Sequence, residues 1–386
     1  MTSSMSKNYY NPVTIHVGDG SLAKLPELVG ERRVALVTFP EAKALGMIDT
    51  IRALLPGQVN LIIDNVLPNP DVIQLNDLYD SFWQHSDDYD LIVALGGGSS
   101  IDTAKTLMVG TESGKFADLL AILVDGKPYS PARKKPLITI PTTAGTGSEV
   151  TPWATIWDAA QQKKYSLHLD CTWPSAAIVD PRLMLSLPRE VTISTGLDAL
   201  SHALESIWNV HANPISDCFA ISAIEDIFEC LIPLVKRPDD IGLRTRMAQA
   251  ALKAGMAFSN TKTALAHSIS YDMTLRHGLA HGIACSFTLP LVLGMAWGKR
   301  ADRDFVLQRL FGPDLGAAQE RLRDFLHQLG VKTEFSDFGI SDAESANMTR
   351  RAMEGPRGRN FIGSTPRATV GAAVGPVVDT LRLPKK

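Results

Sequence analysis

The chain has 386 residues, 45% of them hydrophobic, and a formal net charge of −3, so it can bury a large core and is expected to divide into two domains. A charge this near neutral, with no basic block longer than Arg133-Lys134-Lys135, gives nucleic acid or an anionic membrane surface no electrostatic footprint. No apolar run approaches the roughly 20 residues that span a bilayer, and MTSSMSKNYY has no apolar signal core. Cys171, Cys218, Cys230 and Cys285 show no CxxC spacing and read as reduced and mostly buried. A soluble cytoplasmic protein is the expectation.

In chain order, short β-branched runs alternate with helical patterns: strand 34–38, helix 41–55, strand 59–63, helix 72–83, strand 90–95, and later strands at 137–140 and 176–179. Strands separated by helices of this length predict βαβ units and a parallel sheet, an α/β domain over 1–187. After the 90–95 strand comes Gly96-Gly97-Gly98-Ser99-Ser100-Ile101-Asp102, opening a helix over 103–109. Glycines admit a ligand close to the backbone, and a helix start offers free N–H groups to a pyrophosphate. The loop is neither the six-residue dinucleotide fingerprint nor a Walker A loop. A second polar glycine loop, Pro141-Thr142-Thr143-Ala144-Gly145-Thr146-Gly147-Ser148-Glu149, follows another strand. Ligands of open α/β sheets bind at such carboxyl ends.

Beyond Pro188 strand-like runs nearly vanish, and the periodicity predicts an all-helical domain over 188–386. The expected helices are 191–210, 214–235, 241–258, 263–275, 281–297, 303–310, 315–329 and 341–353, with Thr195 and Asn213-Pro214 as helix starts. Asp198 and His202, four apart in GLDALSHALESIW, fall on one helix face. With His267 in TALAHSIS and His281 in HGLAHGIAC they make one carboxylate and three imidazoles, a donor set suited to Fe(II) or Zn(II) rather than calcium or magnesium. Glu205, Trp208 and His211 read as surface or packing residues, and Trp153 and Phe258 as candidates for a pocket wall.

Five ordered segments, GGGSSIDTAK, IPTTAGTGSEVT, VDPRLMLSLP, TGLDALSHALE and HGLAHG, resemble the iron-containing alcohol dehydrogenase family, over about Asn11 to Arg382. The resemblance implies a Rossmann-like, dehydroquinate synthase-like dinucleotide domain, a helical domain, and an active site between them. It implies that Asp198, His202, His267 and His281 hold the metal, Fe(II) with Zn(II) as the alternative. It places NAD(H) or NADP(H) on Gly97, Gly98, Ser99 and Asp102, with Thr142, Thr143 and Thr151 lining it and Asn69 and Lys164 on the cofactor side. The reaction implied is hydride transfer to a polarised carbonyl.

The chain departs from the family pattern in three places. Phe39 stands where many members carry an acid that binds the adenosine ribose, which leaves NAD and NADP both open. Tyr271 stands where many carry a histidine, so His277, or else Tyr271, is the expected proton relay. Lys262, Arg276, Arg357 and Arg359 stand where cations are unusual, and an anionic substrate is one reason for them. These features resemble the branch of phosphonate metabolism that reduces phosphonoacetaldehyde to 2-hydroxyethylphosphonate. Dehydrogenation of uncharged short-chain alcohols, a metal-dependent hydrolase or lyase on the same architecture, and a non-catalytic nucleotide-binding regulator are the alternatives. The expected partners are a small aldehyde or alcohol and further copies of the chain in a homodimer or higher homo-oligomer.

Overall fold

A computed structural model describes residues 8–364; the ends of both expected domains, and of the family resemblance, lie outside them. The first half is built on strands β1 (Thr14–Val17), β2 (Val34–Val37), β3 (Val59–Ile63), β4 (Leu91–Gly96), a two-residue β5–β6 pair (Val109–Gly110 with Arg133–Lys134), β7 (Leu137–Pro141), an antiparallel hairpin β8–β9 (Trp153–Asp158 with Lys163–His168) and β10 (Ala176–Val179). Between them run helices α1 (Leu25–Val29), α2 (Met47–Leu54), α3 (Val72–Gln84), α4 (Gly98–Leu107) and α5 (Phe116–Asp125).

Six strands form one parallel sheet in the order β1-β10-β7-β4-β2-β3. Its faces divide by residue parity. Val34, Leu36, Leu91 and Val93 pack with the Leu25 and Ile51 side of α1 and α2. Ala35, Val37, Ile92 and Ala94 pack with Tyr79, Ile101 and Leu119 of α3, α4 and α5. Both faces are covered, which is why β2, β4, β7 and β10 are buried at every position. From β2 the chain steps outward to β3 and then back across to β4, so the order reverses between β2 and β4, where such sheets open a ligand crevice.

The second half is helical: α6 (Arg189–Ile207), α7 (Pro214–Lys236), α8 (Ile241–Thr261), α9 (Leu265–His277), α10 (His281–Ser286), α11 (Leu289–Ala296), α12 (Ala301–Phe311), α13 (Leu315–Gln328) and α14 (Asp342–Glu354). α6 is the central member, buried continuously from Gly196 to Ile207 against α7, α8 and α10. Asn213 starts α7 as expected, its side chain accepting from the Ile215 and Ser216 amides. Thr195 does not start a helix: α6 begins after Pro188, and the Thr195 hydroxyl donates to the Val191 carbonyl inside it. The helix expected over 281–297 is two: Pro290, which has no N–H to continue the ladder, takes the first turn of α11. The helix expected over 41–55 shrinks to α2, since Gly46 turns left-handed (φ 69°) just ahead of it. Among the described residues no helix is long and apolar enough to cross a membrane.

Candidate metal and dinucleotide site

The two glycine loops end neighbouring strands, with Gly96 of β4 in register with Pro141 of β7 and the Thr142 amide donating to the Gly96 carbonyl. Gly96 has φ 152°, and a Cβ there would meet Ser100 Oγ. A Cβ on Gly97 would lie 3.2 Å from Thr143 Cγ2, and one on Gly98 would lie 2.8 Å from Thr146 Cγ2. The loops thus form one cradle whose floor is bare backbone. α4 begins at Gly98, five residues earlier than expected, so its unpaired amides open into that cradle. Ser99 Oγ accepts from the Asn69 amide at 3.1 Å, and the Phe39 ring closes the β2 side against Gly96.

Asp102 and Thr151, expected on the cofactor side, are bound to other protein groups. Both Asp102 oxygens are taken by protein, Oδ1 by the Ser148 hydroxyl at 2.6 Å and Oδ2 by the Thr155 amide at 2.9 Å. Buried Lys105 donates to Ser148 O at 2.6 Å, Ser148 Oγ at 2.8 Å, Trp153 O at 2.8 Å and Thr151 Oγ1 at 3.4 Å. These groups fasten α4 to the second loop and to β8. Burial pushes Lys105 down to about 8 and the neighbouring Glu149 up to about 7.

The metal candidates come from three helices: Asp198 and His202 from α6, His267 from the first turn of α9, and His281 from the start of α10. Asp198 Oδ1 lies 3.3 Å from His267 Nε2, 3.9 Å from His202 Nε2 and 4.0 Å from His281 Nε2. The His202 ring stacks on His267 at 4.5 Å and on Phe258 at 4.0 Å. Convergence requires close backbone approach: a Cβ on Gly282 would sit 1.8 Å from the Ser194 carbonyl of α6. Gly145, at 2.6 Å from Thr195 O by the same construction, docks the second loop on α6 beside the centre.

Two buried polar atoms that face each other here, Asp198 Oδ1 and His267 Nε2, have no hydrogen-bond partner. Unpaired buried polar atoms are costly, and a shared cation is the partner that satisfies a carboxylate and imidazoles together. Burial pushes His202 down to about 4 and His281 well below its ordinary value. Burial works to raise Asp198, but the His202, His267 and His281 rings outweigh it and hold the carboxyl well below the usual range. At His202 and His281 burial thus favours the neutral imidazole that metal binding needs, whereas at His267 burial is outweighed by Cys285, Glu205 and Asp198, which hold the ring well above its ordinary value. The residues fit a divalent cation.

Glu205, read from sequence as a packing or surface residue, supports this centre. It is wholly buried and accepts from the Ala264, Ala266 and His267 amides, capping α9 from another helix. Its Oε2 also lies 2.8 Å from His267 Nδ1, which turns Nε2 toward Asp198. Its place one turn beyond His202 on the same face was the only available signal. Cys285 was missed too; its Sγ lies 3.6 Å from His281 Nε2.

The expected substrate cations separate. Arg357 lies beside the centre, its guanidinium 5.2 Å from the Tyr271 ring centre and donating to Thr263 Oγ1 at 2.8 Å. Lys164 covers the same ring at 4.4 Å and Trp157 at 4.6 Å. Trp157 in turn meets His281 edge-on at 6.4 Å. Arg276 is exposed and paired with Asp272 at 3.5 Å, and Lys262 and Arg359 are exposed. Tyr271, one turn after His267, has a buried hydroxyl with no partner. His277 ends α9, about 15 Å along the helix from His267 by helical rise, next to left-handed Gly278.

A parallel sheet with a bare glycine cradle, joined at its carboxyl edge to a carboxylate–imidazole centre, defines a metal-dependent, dinucleotide-linked oxidoreductase. Residues 12–181 match the family model for iron-containing alcohol dehydrogenase, and 192–370 that for the Fe-containing alcohol dehydrogenase family, C-terminal. The chain is 32% identical over 362 residues to NAD-dependent methanol dehydrogenase of Bacillus methanolicus, covering 90% of this chain and 93% of that one. It is 32% identical over 361 residues to choline dehydrogenase of Bacillus subtilis, with 90% and 89% covered. Its fold superposes on sulfoacetaldehyde reductase of Bifidobacterium kashiwanohense, crystallised with NAD+, with a TM-score of 0.83 at 29% identity, covering 93% and 95%. The chain belongs to the iron-containing alcohol dehydrogenase family, and is an alcohol or aldehyde oxidoreductase linked to NAD(H) or NADP(H) rather than a hydrolase or lyase.

Proposed function

We propose that this enzyme reduces a small aldehyde bearing an anionic head, with phosphonoacetaldehyde, converted to 2-hydroxyethylphosphonate, as the best substrate. One observation carries the reading: the Lys164 ammonium and the Arg357 guanidinium lie 4.4 and 5.2 Å from the centre of the Tyr271 ring, one helical turn from His267. They line a cavity of about 420 Å³ together with Ser166, Ser268 and the Arg351–Asp272 ion pair. Arg357 works against the charge of Lys164, and an anion that contacts both relieves that repulsion. The similarity to a sulfoacetaldehyde reductase points the same way, since sulfoacetaldehyde is a two-carbon aldehyde with an anionic head.

In this reading Asp198, His202, His267 and His281 hold Fe(II), or Zn(II). Gly97, Gly98 and Ser99 cradle the pyrophosphate, with Thr142, Thr143, Asn69 and Phe39 around the cofactor. When bound, the cation polarises the carbonyl and the reduced nicotinamide supplies the hydride. Glu205 fixes the His267 tautomer, while Phe258 and Trp157 keep water from the centre. Tyr271 Oη delivers the proton to the product oxygen, taking the part that sequence alone gave first to His277. The chain divides near 187/188 into the unit that holds the cofactor and the unit that holds the cation.

The test is kcat/KM of iron-loaded protein, with NADH or NADPH, for phosphonoacetaldehyde against propanal. A charge-assisted contact of about 1.5–3 kcal/mol corresponds to a preference of roughly 10–100-fold for the anion. Arg357→Ala removes that preference and leaves propanal unchanged. Equal values in the wild type defeat the proposal and favour the second reading, oxidation of an uncharged alcohol, to which the methanol dehydrogenase similarity points.

A further inference from the structure

Cys285 follows His281 by one turn of α10, so their side chains share a face. Its Sγ lies 3.6 Å from His281 Nε2 and 3.7 Å from Nδ1. One donor atom each from Asp198, His267, His281 and Cys285 all lie within 4.8 Å of one another. His202 falls outside that group, although its Nε2 is 3.9 Å from Asp198 Oδ1. The near-equal distances to the two ring nitrogens set Sγ over the His281 imidazole rather than on the line of the Nε2 lone pair, so ligation needs the thiol to turn toward Asp198 and His267. Asp198 Oδ1 and His267 Nε2, buried and without partners, belong to the same group. A packing cysteine looks different: Cys230 is enclosed by the helical core, with Met247 Sδ at 3.8 Å.

We propose that Cys285 is a further ligand of the bound cation, so that the centre offers one thiolate beside one carboxylate and three imidazoles. The inference rests on the metal-site reading above. On binding, the S–H bond breaks, its proton passes to solvent, and a sulfur lone pair forms the bond to the cation; nothing is oxidised or reduced. A thiolate is the softest donor in the set and favours Zn(II) over Fe(II) relative to a centre of oxygen and nitrogen alone. The centre then has five candidate donors, His202 and Cys285 beside the Asp198–His267–His281 trio.

Cobalt(II) reports ligand type directly. Added without oxygen to metal-free protein, it should give visible d–d bands and a near-ultraviolet thiolate-to-cobalt charge-transfer band. Cys285→Ser and Cys285→Ala should keep the visible bands and lose the near-ultraviolet one, whereas His202→Ala should keep both. The ratio of zinc to iron affinity should fall at least about tenfold in Cys285→Ser, since even groups outside the ligand set typically cost 10–100-fold. Visible bands in the wild type without the sulfur band, or a sulfur band that survives Cys285→Ser, would overturn the assignment. No cobalt bands at all would overturn the metal centre and this inference with it. The wild-type spectrum can overturn the proposal by itself even if both cysteine variants misfold.

Discussion

The cofactor cradle and the metal centre meet at one seam but are built on opposite plans. The cradle is made of absent side chains: Gly97 and Gly98 clear a floor between Thr143 and Thr146, and two strands in register hold it. The centre is made of present ones, drawn from three helices that must pack tightly before Asp198, His267 and His281 meet. A backbone site therefore fails by intrusion. A side-chain site fails by loss of a donor or of the packing that aims it.

The sharpest break is Asp198→Ala, which removes the only carboxylate of the trio. Metal content should collapse and turnover fall by about a thousandfold or more, the several kcal/mol a divalent cation supplies, while NADH still binds. Elemental analysis beside cofactor titration measures both. Two glycine variants then exchange the failures. Gly98→Val should weaken NADH binding by roughly 10–100-fold, the 1–3 kcal/mol of an overpacked site, and leave metal content intact. Gly282→Ala should lower Tm and metal content together, since its methyl meets the Ser194 carbonyl, and spare the cradle. If both variants lose both ligands, the two sites are not separable.

Glu205→Gln sharpens the comparison within the centre. An amide can present its oxygen to the helix amides or to the His267 Nδ1–H, but cannot serve all of them as a carboxylate does. Metal affinity should fall roughly 10–100-fold, read by competition with a chelator, with a smaller loss of Tm. The mildest test is pH. Enclosure first, and then Arg357, push Lys164 down to about 7. Its positive charge is present below that value and lost above it. KM for phosphonoacetaldehyde should therefore rise a few-fold from pH 6 to 8, less than the full worth of a charged contact, while KM for propanal stays level. A flat profile for both would show that Lys164 does not face the substrate.

The same contrast explains what could be read beforehand. Gly96 to Asp102 is contiguous, and strand followed by glycines followed by helix is a local pattern, so the cradle was legible at the level of loops. The Asp198–His202 pair was legible because helical spacing alone puts both on one face. Glu205 was not, because its function depends on α9 arriving over α6, and no local spacing encodes that arrival. The hydrogen bonds of Asp102 were not legible for a related reason: it sits in the loop segment, but α4 turns it toward Ser148 and Thr155. The cations Lys262, Arg276 and Arg359 were grouped with Arg357 by sequence proximity, and the fold sends those three outward. Lys164 reached Tyr271 instead through the β8–β9 hairpin, which the alternation of the chain had not announced.

Glu205 also joins two events that are usually separate. The carboxylate that orients His267 is the one that holds the Ala264, Ala266 and His267 amides at the start of α9. Capturing the ion therefore tightens the opening turn of that helix, and withdrawing the ion loosens it. Amide hydrogen exchange at those three positions thus becomes a built-in gauge of occupancy, readable with no substrate present.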